Sequence, residues 1–187
     1  MVTELSDEKI MERVKDGYLS DLSTLFDRYH LKLYNFFLKL TFDPVASEDL
    51  TQNLFYRIIR YRHTFEGTAG SYKSWMYQIA RNVHIDFCRQ QRKYSDRFSL
   101  NDAEFPDLLP GYEAAYQEED FQRLDQALLQ LQPDQREVLV MSRFQGLKYG
   151  EISKIRNSSV AAIKVQVHRA ILQLRNLYFK QQQEEGI

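Results

Sequence analysis

Between Lys154 and Lys180 the chain carries six basic side chains (Lys154, Arg156, Lys164, Arg169, Arg175 and Lys180) and no acidic one. Guanidinium and ammonium groups in such a run bind phosphate oxygens, and a chain of net charge −1 does not acquire one from bulk composition. Residues 71–93 form a second basic block, five basic side chains against Asp86, a balance of +4. Residues 94–120, between the two, hold eight acidic side chains against Arg97, a balance of −7, while 154–180 stands at +6. Two basic blocks separated by an acidic one point to two nucleic-acid contacts joined by a segment that stays off DNA.

The elements around the second block suit that chemistry. From Lys148 to Arg175 the sequence reads as a short helix, a polar turn and a longer helix. Ile152 and Ile155 make the apolar pair of the first. Val160, Ile163, Val167, Ile171 and Leu174 recur at three- and four-residue spacing and mark one face of the second. Between them, Asn157 tolerates the left-handed conformation that ends a helix, and Ser158 or Ser159 can cap the next. This is the outline of a helix-turn-helix, whose second helix enters the major groove. Ser159, Ala161, Ala162, Lys164 and Val165 are then the candidates for reaching base edges; Ser158, His168 and Arg169 complete the DNA-binding set, and Arg169 and Arg175 are suited to phosphates. A solvated helical hairpin is the plainer alternative, and the absence of acidic residues argues against it.

The first block sits in a longer helical region. Residues 5–17 read as a short amphipathic helix stopped at Gly17, and 19–41 as a second helix whose aromatics (Phe26, Tyr29, Tyr34, Phe36, Phe37) are expected in a core. Asp43 and Pro44 supply a cap and a first-turn proline for a third helix. Leu50, Leu54, Phe55, Ile58 and Ile59 are expected to face inward there, leaving Glu48, Asp49, Gln52, Asn53 and Arg57 outward. Gly67 and Gly70 make 63–70 a loop. A fourth helix over 72–93 is expected to bury Trp75, Ile79, Val83 and Phe87. Its Lys73, Arg81, Asn82, Asp86, Arg89, Arg92 and Lys93 are left for solvent or a ligand. Residues 94–115 lose the helical period and gain two prolines, which predicts a flexible linker. Helix resumes near Tyr116 (Phe121, Leu124, Leu128, Leu131), and Pro133 opens another with Val138, Leu139 and Met141 inside. The tail QQQEEGI is expected to fray. With no strand pattern, the expected fold is all-α: two small helical domains, 1–93 and 116–187, joined by the 94–115 linker.

Other chemistries find little support. The sequence contains neither a phosphate-binding glycine loop nor an HExxH pattern. The four histidines are scattered, and His84 with Cys88 supplies two potential ligands on one helix face, short of a metal site. The single cysteine excludes an intrachain disulfide. No apolar run is long enough to span a membrane, and the N-terminus lacks a signal-peptide pattern, so a cytoplasmic protein is expected.

These motifs, in their order, resemble the extracytoplasmic-function (ECF) sigma factors of bacterial RNA polymerase. Ser47 to Phe55 (SEDLTQNLF) is similar to that family's AEDLTQEVF stretch. Ser74 to Val83 (SWMYQIARNV), with Asp86 and Arg89, resembles its WLYRIARN helix. Leu131-Gln132-Pro133, Arg136, Gly146-Leu147, Glu151-Ile152, Lys164 and His168-Arg169-Ala170 resemble its second DNA-binding domain. The chain departs from the family at Asn157, where glycine is common, and at Lys164-Val165-Gln166, which carries one positive charge fewer than the usual lysine-serine-arginine.

The resemblance implies a protein without catalytic activity or cofactor of its own that binds core RNA polymerase (β and β′ subunits), with 1–93 holding the β′ clamp through Glu48, Asp49, Gln52, Asn53 and Arg57. It further implies that 1–93 melts and reads the minus-ten element through the 65–93 region. The 116–187 domain would read the minus-thirty-five element as duplex, and an anti-sigma factor would be a partner. Promoter DNA is thus expected both double-stranded and melted. A stand-alone helix-turn-helix regulator explains 148–175 but leaves the 48–57 face and the first basic helix without a role. A helical scaffold binding only protein leaves the charge segregation unexplained.

Overall fold

The computed structural model describes residues 5–67, 70–97 and 119–184. Among the described residues every regular element is helical and no strand occurs, as the sequence predicts. The helices are α1 (Asp7–Lys15), α2 (Leu22–Thr41), α3 (Pro44–Tyr61), α4 (Tyr72–Arg97), α5 (Glu119–Leu129), α6 (Pro133–Leu139), α7 (Tyr149–Ile155) and α8 (Val160–Glu184), with short 3-10 turns at Leu19–Asp21 and Arg62–Thr64. The chain divides into two compact units: Met1–Tyr34 with Glu48–Phe98, and Asn35–Ser47 with Ser99–Ile187.

Local chemistry sets both ends of α1 and the start of α3. Ser6 caps α1, its hydroxyl accepting from the Lys9 N–H. At the other end Gly17, at φ +106°, lets the Gly17 and Tyr18 N–H groups turn back onto the Val14 and Arg13 carbonyls. Pro44 opens α3 behind Asp43, whose carboxylate accepts from the Ala46 N–H at 2.9 Å. The core draws on all four helices: Ile10, Met11 and Val14; Leu25, Tyr29 and Leu33; Leu50, Leu54 and Ile58; Tyr72, Met76, Ala80 and Val83.

Five expected core positions on these helices lie at the margin of their stripe. Ile59 is exposed, and Trp75 and Phe87 are half-buried; Met76, Tyr77 and Ala80 are the buried residues of α4 beside Tyr72, Ile79 and Val83. Phe26 is exposed too and stacks on His30 at 4.9 Å, while Tyr34 is half-buried. A stripe drawn at a period of 3.6 fixes the centre of the buried face better than its edges. α4 also runs to Arg97, so residues 94–97 of the expected linker are helical. The remainder of that segment, and the expected helix start at Tyr116, lie outside the described residues.

In the second unit Leu128, Leu131, Val138, Leu139 and Met141 are buried with Ile152, Ile155, Ile163, Val167 and Ala170. Val160 is exposed, because it stands at the first turn of α8. Phe121 is half-exposed as well; with Leu124, Ile171, Leu174, Tyr178 and Phe179 it lines an apolar groove of about 420 Å³. Asp125 is fully buried and ion-paired with Lys39. The Arg136 guanidinium donates to the Leu40, Leu129 and Leu131 carbonyls and lies over the Phe42 ring. Phe42 has φ +55°, a left-handed conformation that ends α2 through its N–H bond to the Leu38 carbonyl. After α6 the chain makes one π turn, Val140–Phe144, before α7. α8 continues through Glu184, further than the expected fraying of the 181–187 tail; 185–187 lie outside the described residues.

Candidate polymerase and DNA interfaces

On α3 the apolar residues Leu50, Leu54, Phe55 and Ile58 are buried, and Glu48, Asp49, Gln52 and Asn53 are exposed, so four of the five expected polymerase contacts form an open polar face. Arg57 is half-buried and already engaged. Its Nε donates to Asn53 Oδ1 at 3.1 Å, and its Nη1 reaches Asp86 Oδ2 of α4 at 2.8 Å. The spacing on each helix was legible in the sequence; the pairing of Arg57 with Asp86 across two helices was not.

On α4, Asn82, Asp86, Arg89, Arg92 and Lys93 are exposed, whereas Lys73 and Arg81 are half-buried. Asn82, Asp86 and Arg89 follow one another at four- and three-residue intervals and share a face that flanks the buried Ile79 and Val83. The one carboxylate in this basic set is offset by Arg57, and Arg89 stands 3.9 Å from it, so the face keeps its positive balance toward a phosphate chain.

At the N-terminal end of α4, Phe65, Tyr72 and Trp75 form an aromatic cluster, with Phe65 and Trp75 centroids 5.4 Å apart and Phe65 and Tyr72 6.2 Å apart. Phe65 and Tyr72 are fully buried, and Trp75 is the half-exposed member. Burial pushes the Tyr72 and Tyr77 phenols up from the ordinary tyrosine range, and burial followed by the Asp7 hydrogen bond does the same for Tyr29. All three stay neutral at physiological pH. His84 Nε2 lies 3.5 Å from Cys88 Sγ, and no group of three potential metal ligands occurs among the described residues.

The helix-turn-helix outline is realised by α7 and α8. Asn157 takes φ +50°, its N–H bonding the Lys154 carbonyl and that of Ser158 the Ser153 carbonyl, the paired bonds that close a helix at a left-handed residue. Of the two candidate serines, Ser159 is the cap: its Oγ accepts from the Ala162 N–H at 3.1 Å. At the start of α7, the Lys148 N–H donates to Glu151 Oε2 at 2.7 Å. Along α8, Ser159, Ala161, Lys164, Val165, His168 and Arg169 are exposed, Ala162 is half-buried, and Ile163, Val167 and Ala170 anchor the opposite face. Ser158, in the turn, is half-buried.

Arg156 departs from the charge count. Its side chain is only 9% exposed and pairs with Glu137 Oε2 at 2.8 Å and Asp134 Oδ1 at 3.2 Å. One of the six basic residues of 154–180 therefore holds α7 against α6 instead of facing a nucleic acid.

Comparison with known proteins assigns both halves. Residues 25–94 match the model of sigma-70 region 2, and residues 121–174 that of sigma-70 region 4. The chain is 35% identical to the ECF RNA polymerase sigma factor SigX of Bacillus subtilis over 157 residues, covering 81% of this chain and 80% of that protein. The chain belongs to the ECF class of RNA polymerase sigma factors. It is also 33% identical to the RNA polymerase sigma factor CarQ of Myxococcus xanthus, over 89% of this chain and 94% of that one. Among solved structures, the sigma factor RpoE of Bartonella quintana, crystallised with the anti-sigma factor NepR, superposes with a TM-score of 0.69 at 27% identity, over 84% of this chain and 96% of that one. CnrH, in complex with the cytosolic domain of CnrY, shares the fold with a TM-score of 0.71 at 18% identity, over 91% and 96% of the two chains.

An ECF sigma factor binds core RNA polymerase and directs promoter-specific initiation of transcription. A stand-alone helix-turn-helix regulator would have no use for the region 2 match, which covers the residues that reading leaves idle. Among the described residues no helix is long and apolar enough to cross a membrane.

Proposed function

We propose a division of labour along this sigma factor. Residues 1–93 dock on core polymerase through the α3 face of Glu48, Asp49, Gln52 and Asn53, with Arg57 at its margin. They melt and read the minus-ten element through the 65–72 loop and the α4 set Lys73, Arg81, Asn82, Asp86, Arg89, Arg92 and Lys93. Residues 116–187 read the minus-thirty-five element as duplex. There Ser159, Ala161, Ala162, Lys164 and Val165 lie toward bases, and Ser158, His168 and Arg169 toward the backbone. The acidic 94–115 segment joins the two and is kept off nucleic acid by like-charge repulsion. The protein acts in the cytoplasm and has no catalytic activity or cofactor of its own. An anti-sigma factor is a further partner, as NepR is of the sigma factor RpoE.

The observation that carries this reading is the set of exposed polar faces set against buried apolar stripes. One lies on α3, one on α4 and one on α8, and each coincides with a family motif. Asp49 tests the first of them. Reversing its charge, Asp49→Lys, leaves the core of α3 untouched, because the side chain is exposed. Titration of core polymerase should then show about tenfold weaker binding, with run-off transcription falling in proportion, as for a charged contact worth about 1.5 kcal/mol. Wild-type affinity in the variant would remove this face from the polymerase contact.

A further inference from the structure

The helix α1 lies outside the residues matched by the region 2 model, which begin at residue 25, yet it touches both ends of the 65–72 loop. Glu8 Oε1 accepts the Tyr72 N–H at 3.1 Å, satisfying one of the orphan donors at the first turn of α4. Next to it, the Ser71 hydroxyl accepts from the Ser74 N–H at 3.2 Å. At the other end, Lys15 Nζ donates to the Phe65 carbonyl at 2.8 Å, just beyond the Arg62–Thr64 turn. Between these two bonds Glu12 leans over the loop: a Cβ placed on Gly67 would come within 2.7 Å of its Oε1.

α1 is itself held firmly. Ile10, Met11 and Val14 are buried. Asp7 pairs with Arg28 and accepts from the Tyr29 hydroxyl, both on α2, and Arg13 pairs with Asp21. The loop ends thus bond to a helix fixed by its own apolar face and by ion pairs to its neighbours. The bonds from Glu8 and Lys15 also fall on the backbone of Phe65 and Tyr72, the two buried rings against which the half-exposed Trp75 packs.

We propose that α1 is the positioning element of the melted-strand surface. Glu8 and Lys15 fix the backbone at Tyr72 and Phe65, so that Trp75, packed against those two rings, is presented to an unpaired strand in a set geometry. The inference rests on the assignment of the 65–93 region to the melted minus-ten strand. Preorganisation of this kind raises affinity by removing an ordering cost at binding, without contact between α1 and the DNA. Glu8 and Lys15 are positioning residues in this account. Neither is marked by the sequence pattern, because their partners are backbone atoms fifty and sixty-four positions along the chain.

The test uses holoenzyme assembled from core polymerase and full-length chain. Its probes are the single-stranded non-template minus-ten oligonucleotide and the duplex of a promoter that the wild-type chain transcribes. Glu8→Ala and Lys15→Met should each weaken single-strand binding by about three- to tenfold, the range for one lost intramolecular hydrogen bond. Core affinity and binding to the upstream duplex half should not change. Glu8→Gln should bind the strand as wild type does, because its amide oxygen accepts the same N–H; a purely electrostatic role would be lost in it. Lys15→Met changes an exposed side chain, so it keeps the test clear of misfolding should Glu8→Ala prove unstable. The inference is overturned if both Glu8→Ala and Lys15→Met bind the strand as tightly as wild type while Asn82→Ala/Arg89→Ala binds it weakly. It is overturned equally if Glu8→Gln fails like Glu8→Ala. If wild-type holoenzyme does not bind the single strand at all, the melted-strand assignment itself is what fails.

Discussion

Arg156 and Arg169 carry the same charge thirteen positions apart and do opposite work. Arg169 is exposed on α8, free to meet phosphate oxygens, whereas Arg156 satisfies Glu137, itself almost completely buried, and Asp134. Removing one partner of a buried pair leaves the other charge stranded, at a cost of about 3–5 kcal/mol. Arg156→Ala should accordingly unfold the second unit at a markedly lower denaturant concentration, as read from circular dichroism. Joint replacement of Arg156 and Glu137 by apolar residues should recover much of that loss. A charge count along the sequence registers Arg156 as part of the basic block, because its carboxylate partners sit on α6, before the block begins. The exposure of Val165 follows from its place off the Ile163/Val167 stripe: an apolar residue of α8, it is 48% exposed. It is available for thymine methyl contacts, so Val165→Arg should change base preference in selection from a randomised duplex pool.

At the scale of the element, the α7–turn–α8 unit shows how much of a motif sequence chemistry can specify. Asn157 was expected to adopt the left-handed conformation and does so at φ +50°. Capping of α8 by one of two serines was equally foreseeable, but the choice between Ser158 and Ser159 depends on where the chain leaves the turn, which neighbouring residue types leave open. The geometry selects Ser159, so Ser159→Ala should cost about 1 kcal/mol in thermal or denaturant unfolding, and Ser158→Ala less. A larger loss from Ser158→Ala would mean that the helix starts one residue earlier. The apolar stripes of α2, α3, α4 and α8 were readable at their centres. They failed at their flanks, where Phe26, Ile59, Trp75, Phe87 and Val160 depend on what packs alongside. The role of α1 was hidden for the same reason, since Glu8 and Lys15 bond to distant backbone.

For the molecule as a whole, the alternation of basic, acidic and basic segments gives a near-neutral protein two cationic regions. The all-helical fold turns each region into a surface of defined geometry: α4 offers a row of polar and cationic side chains beside an aromatic cluster, and α8 a capped recognition helix. Aromatic and cationic groups together suit an unpaired strand, whose bases can stack, while a helix with small side chains at its start suits a duplex groove. The central claim is that these two surfaces act on different states of the same promoter. It is tested most directly by a crossed binding measurement, with holoenzymes carrying Asn82→Ala/Arg89→Ala or Arg169→Ala. Each is titrated against the single-stranded minus-ten oligonucleotide and against the minus-thirty-five duplex at two salt concentrations. The account predicts that the α4 double variant loses single-strand affinity and keeps duplex affinity. Arg169→Ala should do the reverse, with its duplex salt dependence reduced by about one unit of slope. Equal losses on both probes for either variant would contradict it.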